Sequence, residues 1–178
     1  STQSRSSAAS DVYKRQSKGR FTTAPNPNVG SVIVRDGEVV GEGYHRQAGG
    51  PHAEVFALRQ AEHLASGATC YVTLEPCSHY GRTGPCALAL VNAGVKKVIV
   101  AMLDPNPLVA GRGIQILQDA GIEVQLGLLE DHARALNPGF LSRMERQKPY
   151  IRLKLATSLD GRIALSNGKS QWTVSYTH

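Results

Sequence analysis

The chain has 178 residues, which suffices for one well-buried core and is too short for two full-sized ones. Hydrophobic residues make up 41% of the sequence, with no apolar run long enough to cross a membrane and no apolar core of a secretory signal. The net charge of +6 is weak evidence for a nucleic-acid partner, because residues 1–20 carry five Lys and Arg side chains against one Asp and the remainder is nearly balanced.

The two ends of the chain differ in composition from the rest. Residues 1–16 are polar, rich in serine and without hydrophobic periodicity, so we expect a disordered or non-native tail there. The closing residues 174–178 are also expected to be non-native. Ordered structure is expected from about Phe21 onward.

An opening β-hairpin is predicted from two strands, at 29–35 and 39–44, joined at Asp36-Gly37, which is a strong signal for a tight turn. After it, segments with apolar residues at helical spacing alternate with short buried apolar runs. The elements predicted after the hairpin are a helix at 52–65, a strand at 68–74, a helix at 86–94, a strand at 95–102, a helix at 113–120, a strand at 122–126 and a helix at 129–144.

This alternation predicts an α/β fold, a three-layer α/β/α sandwich with helices on both faces of a mixed five-stranded sheet. The composition changes at 147–149, and a further strand is predicted at 150–156. We therefore assign residues 17–146 to one domain and residues 147–173 to the start of another. The second segment is too short to bury a core of its own.

His52, Cys77 and Cys86 are a candidate ligand set for zinc. One imidazole and two thiolates are typical of a catalytic site that keeps its fourth position for water. Glu54 follows His52 by two residues and does not share its helix face, which favours a role other than ligand. The order H-x-E, P-C, C resembles the signature of zinc-dependent deaminases of bases and nucleotides.

In such a site the zinc lowers the pKa of bound water to roughly 7, which makes a nucleophile available. Glu54 would take the proton from the water and pass it to the leaving nitrogen, which departs as ammonia. Two alternatives involve no catalysis: a chance His-Ala-Glu at an exposed helix start, and a cysteine pair from a structural site, although structural sites normally supply four protein ligands.

Cys70 lies in an apolar run and is expected to be a small buried residue rather than a third thiolate. Three cysteines cannot form a disulfide framework, and two of them stand at metal-ligand positions. This usage suits a reducing environment, so we expect a cytoplasmic protein.

The loop between Cys77 and Cys86 indicates the substrate class. Deaminases of nucleosides or nucleic acids typically carry P-C-x-x-C, whereas eight residues separate the two cysteines here. The longer loop brings His79 and Arg82 to the edge of the pocket, and an arginine there suits a phosphate monoester on a small substrate. The alternative is that both are ordinary solvated loop residues.

Three segments, 73–86, 25–30 and 104–113, resemble the bifunctional deaminase/reductase family of riboflavin biosynthesis. The resemblance implies a cytidine deaminase-like fold and a zinc-dependent hydrolase that acts on a cyclic amidine. The implied reaction converts 2,5-diamino-6-(5-phosphoribosylamino)pyrimidin-4(3H)-one to 5-amino-6-(5-phosphoribosylamino)uracil and ammonia. The implied roles are zinc binding by His52, Cys77 and Cys86, proton donation and acceptance by Glu54, and substrate contact by Asn26, His45, His79 and Arg82.

Segments 154–161 and 168–172 resemble the start of this family's second domain, an NADPH-dependent reductase similar to dihydrofolate reductase. The resemblance implies that Ala156 and Trp172 line the NADP site and that Ser170 contacts the reductase substrate. Because it stops at Trp172, no working reductase is expected here. We expect an unpaired strand at 150–156, which would favour aggregation. Residues 1–16 do not show the family's amphipathic N-terminal helix, so we also expect exposed apolar surface that lowers stability or solubility.

The resemblance implies a small phosphorylated pyrimidine as partner and a homo-oligomer. The charge distribution argues against a nucleic-acid partner, and the lack of a long apolar run argues against a membrane. Two other functions compete with it. The first is a deaminase of nucleosides or of nucleic acids of the tRNA type, which in the nucleic-acid case would flip a base into the same zinc pocket, but the long loop and the lack of a basic stripe count against it. A zinc-stabilised structural module would bind the metal without catalysis.

Overall fold

The computed structural model describes residues 2–19, 21–80, 84–107 and 109–169, with side chains from residue 10 onward. In chain order its elements are α1 (Thr2–Lys18), β1 (Gly30–Arg35), β2 (Glu38–Tyr44), α2 (Ala53–Ala61) with a short 3₁₀ helix (Glu62–Ala65), β3 (Thr69–Val72), α3 (Cys86–Asn92), β4 (Lys97–Val100), α4 (Arg112–Asp119), β5 (Glu123–Leu126), α5 (Glu130–Ala135) and α6 (Pro138–Arg146).

The five strands form one mixed sheet in the order β2-β1-β3-β4-β5. The β1–β2 and β1–β3 pairs are antiparallel, and the β3–β4 and β4–β5 pairs are parallel. Asp36 and Gly37 form the predicted hairpin turn with φ angles of 50° and 89°, the positive values that a type I′ turn requires at both central positions. The mixed five-stranded sheet is confirmed.

Helices cover both faces of the sheet, as predicted. Alternate residues of a strand point to opposite faces, and β1 shows this directly. Ile33 packs with α2, α3 and α4 in the larger core, whereas Val32 and Val34 pack with Val12 of α1 on the other face. A third cluster joins α5 and α6 to the residues just after β3 and β4. These last contacts lie at the carboxyl ends of the parallel strands, where α/β sheets commonly place their sites.

Helix α1 corrects the expectation of a disordered tail at residues 1–16. Val12 and Gln16 are buried, and the Tyr13 hydroxyl donates a 2.8 Å hydrogen bond to the Leu128 carbonyl oxygen. Close approach is possible because Gly30 has no side chain, since a Cβ there would lie 2.4 Å from the Val12 carbonyl oxygen. Val12, Tyr13 and Gln16 are among the side chains by which the described part of α1 docks. The sheet surface that was expected to be exposed is covered there.

Two further predictions are wrong in detail. The single helix predicted at 129–144 is two helices, α5 and α6, because the chain turns at Asn137 and Pro138 takes the first position of α6. The strand predicted at 150–156 does not form, and none of the described residues after α6 is in a strand. Ile151 and Leu153 are exposed there, since an alternating apolar pattern forms a strand only beside a partner.

No helix within the described ranges is long and apolar enough to span a bilayer. The closing residues 174–178 lie outside those ranges.

Candidate active site

The three predicted zinc ligands meet at one end of the sheet. His52 directly precedes α2, Cys77 lies in the loop after β3, and Cys86 is the first residue of α3 behind Pro85. The His52 Nδ1 atom lies 3.5 Å from Cys77 Sγ and 3.3 Å from Cys86 Sγ. All three ligand atoms lie within 4.8 Å of one another, as a single bound ion requires.

The electrostatics of the ligand set suit a divalent cation. The Cys86 thiol donates a hydrogen bond to Cys77, and this lowers the pKa of the Cys77 thiol to about 4 against the opposing effect of burial, with the His52 ring assisting. The Cys86 backbone N–H also donates to Cys77 Sγ at 3.3 Å. The same pairing and burial raise the pKa of Cys86, because two adjacent thiolates repel each other without a metal. A soft dication would relieve that repulsion, so the residues present fit zinc.

Glu54 points into the same site from the first turn of α2 and is 2% exposed. Burial raises the pKa of its carboxyl group to about 7, although the neighbouring His52 opposes the shift. Its Oε2 atom has no hydrogen-bond partner among the described residues. A buried carboxyl group with a pKa near neutrality and an uncommitted oxygen is suited to accept and return a proton.

His52, Cys77 and Glu54 line a cavity of about 190 Å³. Three of the four residues predicted to contact substrate, Asn26, His45 and His79, line it together with metal ligands and Glu54. The full lining is Asn26, Pro27, Val29, His45, His52, Glu54, Leu74, Glu75, Cys77, His79, Asp104 and Phe140. Arg82, the fourth predicted contact, lies outside the described residues.

His45 and Asn26 form a linked pair in the cavity wall. The His45 Nδ1 atom lies 3.1 Å from the Pro51 carbonyl oxygen, and its Nε2 atom lies 3.3 Å from Asn26 Nδ2. A carbonyl oxygen accepts and an amide nitrogen donates, so a neutral ring protonated at Nδ1 satisfies both contacts. Burial lowers the pKa of His45 and so favours the neutral ring. The pair orients the Asn26 amide with its nitrogen toward His45.

Sequence reasoning missed Glu75 and Asp104. The buried Glu75 carboxylate accepts hydrogen bonds from the backbone N–H groups of Asp104, Gly111 and Gly113, at 3.2, 3.0 and 2.9 Å. It thus fixes the loop that carries Asp104 into the cavity wall. Gly113 is required at its position because a Cβ there would lie 1.9 Å from the Pro76 carbonyl oxygen. Glu75 stands directly before the Pro-Cys motif, and that adjacency was the available signal.

Ala156, one of the three residues assigned by resemblance to a reductase site, does not line this cavity. Ala156 is exposed in the segment without helix or strand, and it lines a separate surface depression with neighbours from the same segment. Ser170 and Trp172 lie outside the described ranges.

Comparisons with known proteins agree with this geometry. A family model described as the cytidine and deoxycytidylate deaminase zinc-binding region matches residues 3–102. The chain is 63% identical over 164 residues to the riboflavin biosynthesis protein RibD of Escherichia coli (strain K12), which covers 92% of this chain and 45% of that protein. The chain thus spans about half the length of the curated relatives it matches.

Solved structures show the same likeness. The structure of Acinetobacter baumannii RibD, form 1, superposes with a TM-score of 0.92 at 57% identity, over 98% of this chain and 49% of that one. A diaminohydroxyphosphoribosylaminopyrimidine deaminase/5-amino-6-(5-phosphoribosylamino)uracil reductase from Thermotoga maritima gives a TM-score of 0.89 at 38% identity, over 95% of this chain and 49% of that one. The chain belongs to the cytidine and deoxycytidylate deaminase family, and within that family it corresponds to the deaminase region of the RibD proteins.

Proposed function

We propose that this chain catalyses the zinc-dependent hydrolytic deamination of 2,5-diamino-6-(5-phosphoribosylamino)pyrimidin-4(3H)-one. The products are 5-amino-6-(5-phosphoribosylamino)uracil and ammonia, in riboflavin biosynthesis. The observation that carries the proposal is the buried Glu54 carboxyl group, which lines one cavity with His52 and Cys77 of the His52, Cys77 and Cys86 ligand set. The name of the Thermotoga maritima relative supports the choice of substrate.

In this reaction water adds to the ring carbon that bears the amino group, the carbon–nitrogen bond breaks, and a carbonyl replaces it as ammonia leaves. Bound zinc, held by His52, Cys77 and Cys86, supplies a Lewis acid that makes water a stronger nucleophile. Glu54 accepts a proton from the attacking water and delivers it to the leaving nitrogen. A carboxyl pKa of about 7 allows both transfers near neutral pH, because neither protonation state is strongly disfavoured.

The size of the cavity supports the entry of a small ring, rather than of the whole substrate. Its volume of about 190 Å³ is below the range of roughly 300–1,000 Å³ that encloses a whole drug-sized ligand. We infer that the pyrimidine ring enters while the phosphoribosyl group stays at the mouth. Asn26 would read the ring edge, since an amide both donates and accepts. His79, which is exposed at the rim, and Arg82 would meet the phosphate.

We propose that NADPH serves the reductase part of the longer relatives. A cytoplasmic location and a homo-oligomeric state remain proposals from cysteine usage and from the resemblance, respectively.

Ammonia release from purified protein and the diaminopyrimidinone phosphate tests the proposed function. We expect release with zinc bound, loss after chelation, and recovery when zinc is added back. Deoxycytidine monophosphate and a tRNA serve as competing substrates, and both should release far less ammonia. Faster release from the tRNA, weakening steeply with salt, would establish the nucleic-acid alternative instead. Zinc binding without ammonia release from any substrate would support the structural-module alternative.

A further inference from the structure

Helix α6 lies beyond residue 102, where the match to the family model ends, yet it reaches the catalytic cavity. Phe140 of α6 lines that cavity together with Asn26. On either side of Phe140 in sequence, Asn137 and Arg143 make hydrogen bonds to the loop at residues 25–28, which carries Asn26. The contacts of these two residues indicate what α6 does for the site.

Asn137 holds the loop through the backbone of Asn28. The Asn28 N–H donates to Asn137 Oδ1 at 2.7 Å, and Asn137 Nδ2 donates to the Asn28 carbonyl oxygen at 2.9 Å. The Asn28 side chain completes the join, because its Nδ2 donates to the Leu136 carbonyl oxygen at 3.0 Å and its Oδ1 accepts from the Thr23 hydroxyl at 2.7 Å. Both asparagines are buried, so water does not compete for these bonds.

Local helix chemistry does not explain the asparagine at position 137. Asn137 occupies the N-cap of α6, where asparagine ordinarily accepts a hydrogen bond from an N–H of its own first turn. Here the side chain makes no such cap and bonds to Asn28 instead. A residue that forgoes its usual local role for a long-range contact is expected where the contact serves the site.

Arg143 provides a second attachment. Its Nη2 atom donates a 3.0 Å hydrogen bond to the Pro25 carbonyl oxygen. Asn26 therefore lies between two points at which α6 holds the loop, Pro25 on one side and Asn28 on the other. With its side chain also bonded to His45, Asn26 is fixed from both ends of its loop and by its neighbour in the cavity wall.

We propose that Asn137 and Arg143 are positioning residues, which act through the loop at 25–28 to hold Asn26 against the substrate ring. This inference rests on the proposed function and deepens it, because it assigns the fixing of a substrate contact to a helix outside the matched family region. Neither residue contacts the reacting atoms in this account.

A double-mutant cycle with Asn26 tests the positioning role. Arg143→Ala should lower kcat/KM for the diaminopyrimidinone phosphate about three- to ten-fold, the size expected for one hydrogen bond. The loss should appear in KM, because a contact made equally in substrate and transition state leaves kcat unchanged. In an Asn26→Ala background, Arg143→Ala should have almost no further effect. An undiminished loss in that background would overturn the proposal.

Asn137→Ala should lower kcat/KM more than Arg143→Ala, because it removes two buried bonds. If this variant fails to fold, Asn137→Asp serves in its place, since it retains the acceptor for the Asn28 N–H and loses only the donor. Zinc content should stay at the wild-type level in every soluble variant. Loss of zinc together with activity would mean a general structural role and would contradict the proposal.

Arg146→Ala is the matched control, because Arg146 lies one turn further along α6 and bonds to Ser142 rather than to the loop. Its kcat/KM should equal the wild-type value. Hydrogen exchange at the Asn28 amide separates this proposal from the proposed function, since it requires no turnover. Faster exchange in Arg143→Ala than in Arg146→Ala supports the holding contact even if the wild type deaminates another substrate, and Asn137→Ala, where it folds, should give the fastest exchange because it removes the acceptor of the Asn28 N–H. Equal exchange in Arg143→Ala and Arg146→Ala overturns it.

Discussion

Individual residues near the site differ sharply in how burial and neighbours set their chemistry. Cys77 shares hydrogen bonds with Cys86 and His52, which lower the pKa of its thiol to about 4. Cys70 lies on β3 within the larger core, and burial raises the pKa of its thiol to about 12. Thiolates bind metals and react with electrophiles, whereas buried neutral thiols are inert. The same residue type therefore has two roles in this chain.

Thiol labelling tests this contrast. With an alkylating reagent at pH 8 and a chelator present, we expect Cys77 to react in the folded protein and Cys70 to react only after denaturation. Cys70 stays neutral because its raised pKa lies well above the working pH. Bound zinc should protect Cys77. Peptide mass spectrometry gives the site of labelling, and modification of Cys70 in the folded protein would contradict its assignment to the core.

Among the residues of the site, the sequence predicts those whose type and spacing match a known metal-ligand pattern. His52, Glu54, Cys77 and Cys86 follow from ligand types and order alone, and the structure brings all four together. Asp104 is different, because its place in the cavity depends on three backbone hydrogen bonds to Glu75 that join distant parts of the chain. Such long-range contacts have no local pattern to be recognised.

Among the elements, α1 shows how a polar segment becomes part of a fold. Gln16 is fully buried, and its Nε2 atom donates to the carbonyl oxygens of Asn28 and Ala133 at 3.0 and 3.3 Å. The helix thus ties together the loop before β1 and the end of α5. Its sequence needs no apolar stripe, because the helix is held by buried hydrogen bonds and by close approach to the sheet at Gly30. Periodicity alone predicts a disordered tail for this reason.

Replacing Gln16 tests the docking of α1. Gln16→Ala should destabilise the protein by about 1–3 kcal/mol, because two buried carbonyl oxygens each lose a hydrogen bond. Ser17→Ala is the control, since the Ser17 hydroxyl is exposed and bonds only to the Lys14 carbonyl oxygen of the same helix. Urea unfolding midpoints give the comparison. Equal midpoints for the two variants would mean that α1 does not contribute to the stability of the domain.

For the molecule as a whole, the described chain divides at about residue 147. Before it, strands and helices surround shared cores, and after it, residues to 169 form neither helix nor strand and expose several apolar side chains. The α/β/α architecture follows from the order of apolar segments, because each element must bury a face against another. The second segment could not be predicted in this way, since its pattern of alternating apolar residues finds no partner among the described residues.

Truncation tests this division. A chain ending at Pro149 should keep its zinc content and its ammonia release, and its free energy of unfolding should change by about 1 kcal/mol or less, because nearly all of the described residues that it loses are exposed. A chain ending at Ala135 provides the contrast, since it also removes α6 with Asn137 and Phe140. We expect that shorter chain to lose zinc-dependent activity. Equal activity in the two chains would mean that α6 has no part in the site.

The central claim is that Glu54 transfers protons in a zinc site formed by His52, Cys77 and Cys86. The most direct measurement is kcat for ammonia release by Glu54→Gln, with zinc content determined on the same sample. The amide keeps the size of the side chain and cannot accept the proton, so we predict a fall in kcat of about 10²–10⁴-fold at unchanged zinc content. A fully zinc-loaded Glu54→Gln protein that releases ammonia at the wild-type rate would contradict the account.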